Sequence, residues 1–234
     1  MRREFFGDQH KLSRENLKKV DVGVTNHYEP QGLSDRFAYR LVRTLRLLPD
    51  TYFRNDHYTR VVMLETIAAV PGMIGAMLRH MLALRKLKTN QGSWIIHLLH
   101  EAENERMHLM IWLKLLQPSW YNRWLILIAQ GVFFNGYFWL YLWSPRTAHR
   151  MCGYLEEEAI HSYNEFIETL EKGALDNPQA PKMAIEYYNL VPNATVLDVA
   201  LCVRADEAVH RDCNHYFSTC IAQNLPIVPE GNSE

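Results

Sequence analysis

At 234 residues the chain is long enough for one sizeable core and short for two independent domains. Its 25 Lys and Arg nearly balance 26 Asp and Glu, which removes the electrostatic case for a nucleic-acid partner. The four Cys include no C-x-x-C pair, which argues against a disulfide framework and for reduced thiols, while the hydrophobic content of 48% is concentrated enough in one stretch to raise the question of a membrane.

Residues 1–32 show no period and are expected to form an irregular arm. Met1 to His10 includes Glu4 and Asp8 and no apolar core, unlike a signal or transit leader, which suggests a bacterial chain made without a presequence, or a trimmed chain. Leu33, Phe37, Leu41, Leu45 and Leu48 recur at helical spacing with Arg36, Arg40 and Arg43 on the other side, predicting a basic amphipathic helix over 33–48. A second helix is predicted from Arg60 to Leu87. It is closed by Thr89-Asn90-Gln91-Gly92-Ser93, with Ser93 as N-cap of a third helix from Trp94 to Leu116 that stops before Pro118. A fourth covers Tyr121 to Trp143. Ser144-Pro145 reads as N-cap and first-turn proline of a fifth that ends near Lys172, with Gly173 just past its end. One short helix near Lys182 to Tyr188 interrupts a proline-containing connector. A last long helix runs from Thr195 to Ile221 and leaves a tail over 223–234. With no strand or repeat signal, the fold class is all-α, an antiparallel helical bundle over 33–222.

Two of these helices carry Glu-x-x-His: Glu105 with His108, and Glu207 with His210. Residues three apart share a helical face, so each pair can reach one metal ion. Paired Glu-x-x-His motifs, with one further Glu from each of two other helices, form the di-iron carboxylate pattern of ferritin-like four-helix bundles. Glu65 lies inside an apolar run, where an unpartnered carboxylate would be costly. The fourth carboxylate is one of Glu156, Glu157 and Glu158. Cys152, Glu156, Ala159, Tyr163, Phe166 and Leu170 form one inward stripe of steps three and four, which favours Glu156. Glu158 and His161 also fit Glu-x-x-His on a more polar face. That pair shows how easily the motif arises by chance, and salt-bridging helix surface competes as an explanation for each pair taken alone.

Trp124 to Trp143 holds no charge over 20 residues. At about 1.5 Å per residue it would match a bilayer core of about 30 Å. A spanning helix would put the helices carrying Glu105 and Glu156 on opposite sides, and one metal centre could not use both. The helix is therefore expected to fold back along the bundle, leaving an apolar face outward. With the basic helix 33–48 it would bind one membrane leaflet. A soluble bundle with an unusually apolar core helix is the competing reading.

Four blocks carry a resemblance. They are Leu64-Glu65-Thr66 with Ala68-Ala69-Val70-Pro71-Gly72-Met73, Glu101 to Met110, Leu155-Glu156-Glu157-Glu158-Ala159, and Arg204 to His210. Together, and in this order, they resemble the alternative oxidases from roughly Arg36 to His215. The resemblance implies two non-haem iron ions ligated by Glu65, Glu105, His108, Glu156, Glu207 and His210. It implies a monotopic membrane protein, usually a homodimer, that oxidises ubiquinol and reduces dioxygen to water without pumping protons. Its place would be the cytoplasmic face of a bacterial inner membrane or the matrix face of the mitochondrial one. Arg46, Asp50, Arg60, Leu64, Leu155, Glu158, Ala159 and Ser162 match quinol-pocket positions, and Tyr163 matches the family's redox tyrosine. Asn104, Asp206, His149 and Tyr188 match supporting positions. Related plastoquinol oxidases leave the identity of the quinol open. His100 stands where the family usually has Glu, and Tyr188 where Trp is usual. No Cys precedes Cys152, so regulation through N-terminal thiols is not expected. An iron-storage bundle and a soluble di-iron oxygenase are the rival functions. The first needs no quinol site, and neither needs an apolar outer surface.

Overall fold

Helices supply the regular structure in the described residues of the computed structural model, which are 11–54, 56–87 and 92–225. In chain order they are α1 (Arg14–Lys18), α2 (Gly32–Phe53), α3 (His57–Ala68), α4 (Val70–Lys86), α5 (Gly92–Trp112), α6 (Trp120–Trp143), α7 (Pro145–Glu171), α8 (Lys182–Tyr188) and α9 (Val196–Gln223). The class is all-α, as expected, and local chemistry sets several ends. The Asp56 side chain accepts from the Thr59 amide to start α3, and Ser119 accepts from Asn122 to start α6. Gly173 follows α7 at φ +68°, a conformation that favours glycine.

The structure departs from the sequence reading at four boundaries. α2 continues through Pro49 to Phe53. The predicted helix over 60–87 is two helices that meet at Ala69, because Pro71 has no amide hydrogen and fits the first turn of a new helix rather than the interior of an old one. α5 ends at Trp112, and Ser93 lies inside it instead of capping it. The arm holds the five-residue helix α1. The expected breaker Thr89 to Gln91, the first ten residues and the tail from 226 onward lie outside the described residues.

The described residues fall into two compact units, one comprising 11–28 and 155–212, the other 29–154 and 213–225. In the first, the arm is tied down along its length. Leu12 bridges Leu190, with backbone hydrogen bonds to Asn189 and from Val191 at 2.9 and 3.1 Å. Arg14 donates to both carboxylate oxygens of Asp198 at 2.8 Å. Burial would raise the Asp198 carboxyl, but hydrogen bonds from Arg14 and the Thr195 amide outweigh it and hold the group below its ordinary value. Val22 packs with Ile160, Ala205 and Ala208, while Arg211 donates to the carbonyls of Gly23 and Val22.

In the second unit α4 and α5 run antiparallel and close. A Cβ on Gly72 would stand 2.7 Å from the Leu98 carbonyl and 3.1 Å from the Ala102 Cβ. Farther along, the Arg79 guanidinium sits 3.5 Å above the Trp94 ring. Gly72→Ala is accordingly expected to cost about 1–3 kcal/mol through forced separation of the two helices, read as a lowered thermal midpoint. α6 lies along α3 and α4, where Gln130 donates to the Thr66 carbonyl at 2.9 Å and Arg79 to Tyr141 at 3.1 Å, and its start meets the end of α2, where Tyr52 donates to Asn122 at 2.8 Å.

One face of α6, including Asn122, Tyr137 and Tyr141, is thereby buried, whereas Trp124, Ile128, Val132, Trp139 and Trp143 are exposed. The stretches His57–Lys86 and Trp120–Trp143 are both long and apolar enough to cross a membrane, but 56% of the most apolar 18 residues of the first are buried against 11% of those of the second. Burial marks the first as a core element and leaves α6 as the apolar surface. On α2 the inward residues are Asp35, Ala38 and Val42, so the predicted stripe turns outward at Leu33, Phe37 and Leu48.

α2 is anchored to the start of α7 and the end of α9 by a buried ionic cluster. Asp35 accepts from Arg150 Nε at 3.3 Å and from the Gln31 amide at 3.0 Å. The same guanidinium donates to His215 Nδ1 at 2.9 Å and to Thr219 at 3.1 Å.

Candidate metal centre

Each Glu-x-x-His lies on a helix whose interior face also carries buried apolar residues, so the polar pair is carried inward with them. On α5, Leu98, Ala102, Ile111 and Trp112 are buried, and Glu105 and His108 are buried with them. On α9, Val203, Ala205 and Ala208 are buried, and Glu207 and His210 are buried with them.

In the second unit, Glu65, Glu105 and His108 each offer a ligand atom, and these atoms lie within 4.8 Å of one another. His108 Nδ1 is 3.3 Å from Glu105 Oε2 and 3.7 Å from Glu65 Oε2. In the first unit, Glu156, Glu207 and His210 meet the same 4.8 Å criterion, with His210 Nδ1 3.4 Å from Glu207 Oε2. All six residues are buried. Carboxylates this close in a buried setting repel, and a bound cation is the ordinary way to keep them ionised. Two carboxylates and an imidazole per triad form a donor set that suits iron, so the residues fit that metal.

Of the three consecutive acids on α7, Glu156 is the buried one. Glu157 turns to the arm, where it receives the Tyr28 amide at 2.9 Å and pairs with His27 at 2.6 Å, and Glu158 is half-buried. Tyr163, two turns after Glu156, is 4% exposed. The second unit brings Arg46, Asp50 and Arg60 together. Arg46 donates to Asp50 Oδ2 at 2.9 Å, and Arg60 Nη2 lies 2.7 Å from Asp50 Oδ1. Burial works to raise the Asp50 carboxyl, but the hydrogen bond from Arg46 and the charges of both arginines hold it below its ordinary value. Leu64 is half-buried on the same helix as Arg60. In the first unit, Leu155, Ala159 and Ser162 are half-buried along α7, and Ser162 donates to the Glu158 carbonyl at 2.9 Å.

Among the supporting positions, Asn104, His149, Asp206 and Tyr188 are all buried. Tyr188 donates to Asp206 Oδ2 at 2.9 Å, so the phenol supplies a donor where an indole is usual in the family. Burial, then the Asp206 charge, pushes this phenol well above its ordinary value and keeps it protonated. His100 is exposed, which places that departure away from the buried donors. The sequence reading assigned no role to Arg79, Glu101, Tyr141, Cys152 or Asn214. The available signal was register: Glu101, Cys152 and Asn214 each stand four residues from a ligand candidate on their own helix. The four cysteines are free thiols.

The family model described as alternative oxidase matches residues 13–219. A protein named mitochondrial ubiquinol oxidase in Batrachochytrium dendrobatidis is 51% identical over 218 residues, covering 93% of this chain and 68% of the relative. Its namesake in Mangifera indica is 53% identical, covering 89% and 65%. Alternative oxidase 3, mitochondrial, of Glycine max is 52% identical, covering 85% and 61%. The chain thus spans about two thirds or less of the length of most of these curated relatives. Their names place them in mitochondria, and the bacterial alternative draws no support from them. With a family match across nearly the whole chain and both Glu-x-x-His pairs buried beside further glutamates, the chain belongs to the alternative oxidase family.

Proposed function

We propose that the chain is a quinol oxidase that oxidises ubiquinol and reduces dioxygen to water at a non-haem di-iron centre, without pumping protons. Family membership carries this reading, and the two buried Glu–Glu–His triads support it. Glu65, Glu105, His108, Glu156, Glu207 and His210 would be the ligand set. When bound, the iron pair supplies the electron exchange between quinol and dioxygen. The protein's share is to hold four carboxylates and two imidazoles in a dry interior and to deliver the quinol.

For delivery, Arg46 and Arg60 offer fixed donors to the quinol oxygens, and Asp50 between them orients both. Leu64, Leu155 and Ala159 offer apolar contacts, with Glu158 and Ser162 as acceptor and hydroxyl. Tyr163 can give up a proton and an electron together from its phenol, and Asn104, Asp206, Tyr188 and His149 steady the surroundings. Tyr163→Phe is expected to keep its iron and lose about 100-fold or more in turnover, the scale of a missing proton donor. Near-normal oxygen uptake would reduce Tyr163 to a packing residue.

The exposed apolar face of α6 and the outward stripe of α2 suit attachment to one leaflet, as a homodimer on the mitochondrial inner membrane. Single Cys reporters replacing Trp120 and Trp143, at the exposed ends of α6, are expected to react from the same side of sealed vesicles. Labelling from opposite sides would show that the helix spans. The function itself is tested by cyanide-insensitive, quinol-dependent oxygen uptake by purified protein with counted iron. A metal-storage bundle would take up iron without oxidising quinol.

A further inference from the structure

The second unit contains a largely buried polar chain of which the proposed function uses only His149. Arg79 Nε donates to Tyr141 Oη at 3.1 Å, and Tyr141 Oη lies 2.9 Å from His149 Nε2. His149 Nδ1 lies 2.9 Å from Asn214 Oδ1, and Asn214 Nδ2 donates to Glu101 Oε2 at 2.9 Å. A guanidinium only donates and an amide oxygen only accepts. Tyr141 therefore accepts from Arg79 and turns its own proton to His149 Nε2. His149 in turn carries its proton on Nδ1 and gives it to Asn214, whose amide nitrogen is left for Glu101. Every link points one way, from a cation to a carboxylate.

The intermediate groups stay neutral. Burial pushes the Tyr141 phenol up to about 12 and the His149 imidazole down to about 3. Tyr141, His149, Asn214 and Glu101 are all buried, while Arg79 is half-buried and stacked on Trp94. In a low-dielectric interior such aligned bonds polarise and strengthen one another.

Glu101 also has a defined place. It precedes Glu105 by four residues on α5. Cys152, whose Sγ donates to Glu101 Oε1 at 3.8 Å, precedes Glu156 by four on α7, and Asn214 follows His210 by four on α9. On each of three helices, this layer is one turn from a proposed ligand.

We propose that Glu101 is a positioning residue of the metal centre: a carboxylate held as an anion by the one-way chain from Arg79, whose field favours the more oxidised iron pair. The inference rests on the di-iron reading above. A fixed negative charge one turn away, in a medium that screens poorly, stabilises the state of higher metal charge.

The test uses iron-loaded protein and two readouts, the midpoint potential of the iron pair and isotope-edited infrared spectra of the glutamate carboxyls. Glu101→Gln, which keeps the side-chain shape, is expected to raise the potential and to remove one ionised-carboxylate band. Glu101→Asp, which keeps the charge, is expected to restore most of the potential. An unchanged potential in Glu101→Gln overturns the field effect, and loss of a protonated-carboxyl band overturns the anion. If Glu101→Gln fails to hold iron, Tyr141→Phe carries the test, since cutting the chain should raise the potential in the same direction and an unchanged value overturns the link. A parent protein without iron overturns the di-iron reading and the bias with it, while the infrared bands still decide whether Glu101 is the anionic end of the chain.

Discussion

Glu105→Ala and Glu207→Ala are each expected to lose iron and to lower quinol-dependent oxygen uptake to below about one per cent of the parent. Losing a group that merely supports a metal ligand already costs roughly 10–100-fold, and these two residues sit in the triads themselves. Each triad places two buried carboxylates and one imidazole within 4.8 Å, so removing one carboxylate takes away both a donor atom and half of the negative charge that would hold the cation. Glu105→Gln and Glu207→Gln separate charge from shape: packing is kept, the anion is lost, and the same collapse in iron content is expected. Iron is counted by metal analysis on folded protein, with helix content checked by circular dichroism. Full activity in a variant depleted of iron would refute the metal reading altogether.

Asp35→Ala is expected to destabilise the protein by about 3–5 kcal/mol, the usual cost of leaving one partner of a buried ion pair behind. For a chain of this size that corresponds to a fall in thermal midpoint of roughly 6–20 °C. Asp35 is 0% exposed and Arg150 1%, so solvent cannot compensate the guanidinium when its carboxylate is gone. Arg150 also donates to His215 Nδ1 and Thr219, which as acceptors carry no negative charge, and Arg146 adds a second cation 3.5 Å from the same carboxylate. Asp35→Asn keeps the acceptor oxygen and should fall between parent and Ala. A double variant, Asp35→Leu with Arg150→Met, removes both charges and should recover much of the loss, because a well-packed apolar pair of similar volume can match a buried ion pair. Equal stability of Asp35→Ala and the parent by thermal unfolding would show that the cluster contributes nothing net.

Much of the local structure was legible in the residues. Helical periodicity, Ser144-Pro145 and Gly173 located α6 to α7 and the end of α7 to within a residue or two, because caps and turn residues act on their immediate neighbours. Of the stripe Cys152, Glu156, Ala159, Tyr163, Phe166 and Leu170, all but the half-buried Ala159 are buried as the spacing predicts. Periodicity ends the helix at Leu48, but α2 runs on through Pro49, since a proline near the C-terminal end of a helix costs one hydrogen bond and the Arg46–Asp50 pair and the Tyr52–Asn122 contact support the last turn.

What the sequence determined by itself was the helical class, the approximate helix limits, the two Glu-x-x-His registers and the family, all readable from spacing or contiguous motifs. Tertiary structure decided which face of each helix is inside. On α2 the stripe of larger apolar residues turns outward, and Asp35, Ala38 and Val42 turn in, because Asp35 finds Arg150 115 residues away. It likewise decided that Glu157 serves the arm through His27, 130 residues distant, and that Glu101 ends a hydrogen-bonded chain begun at Arg79. A buried charge is tolerable only beside its partner, and periodicity within one helix carries no information about a partner on another.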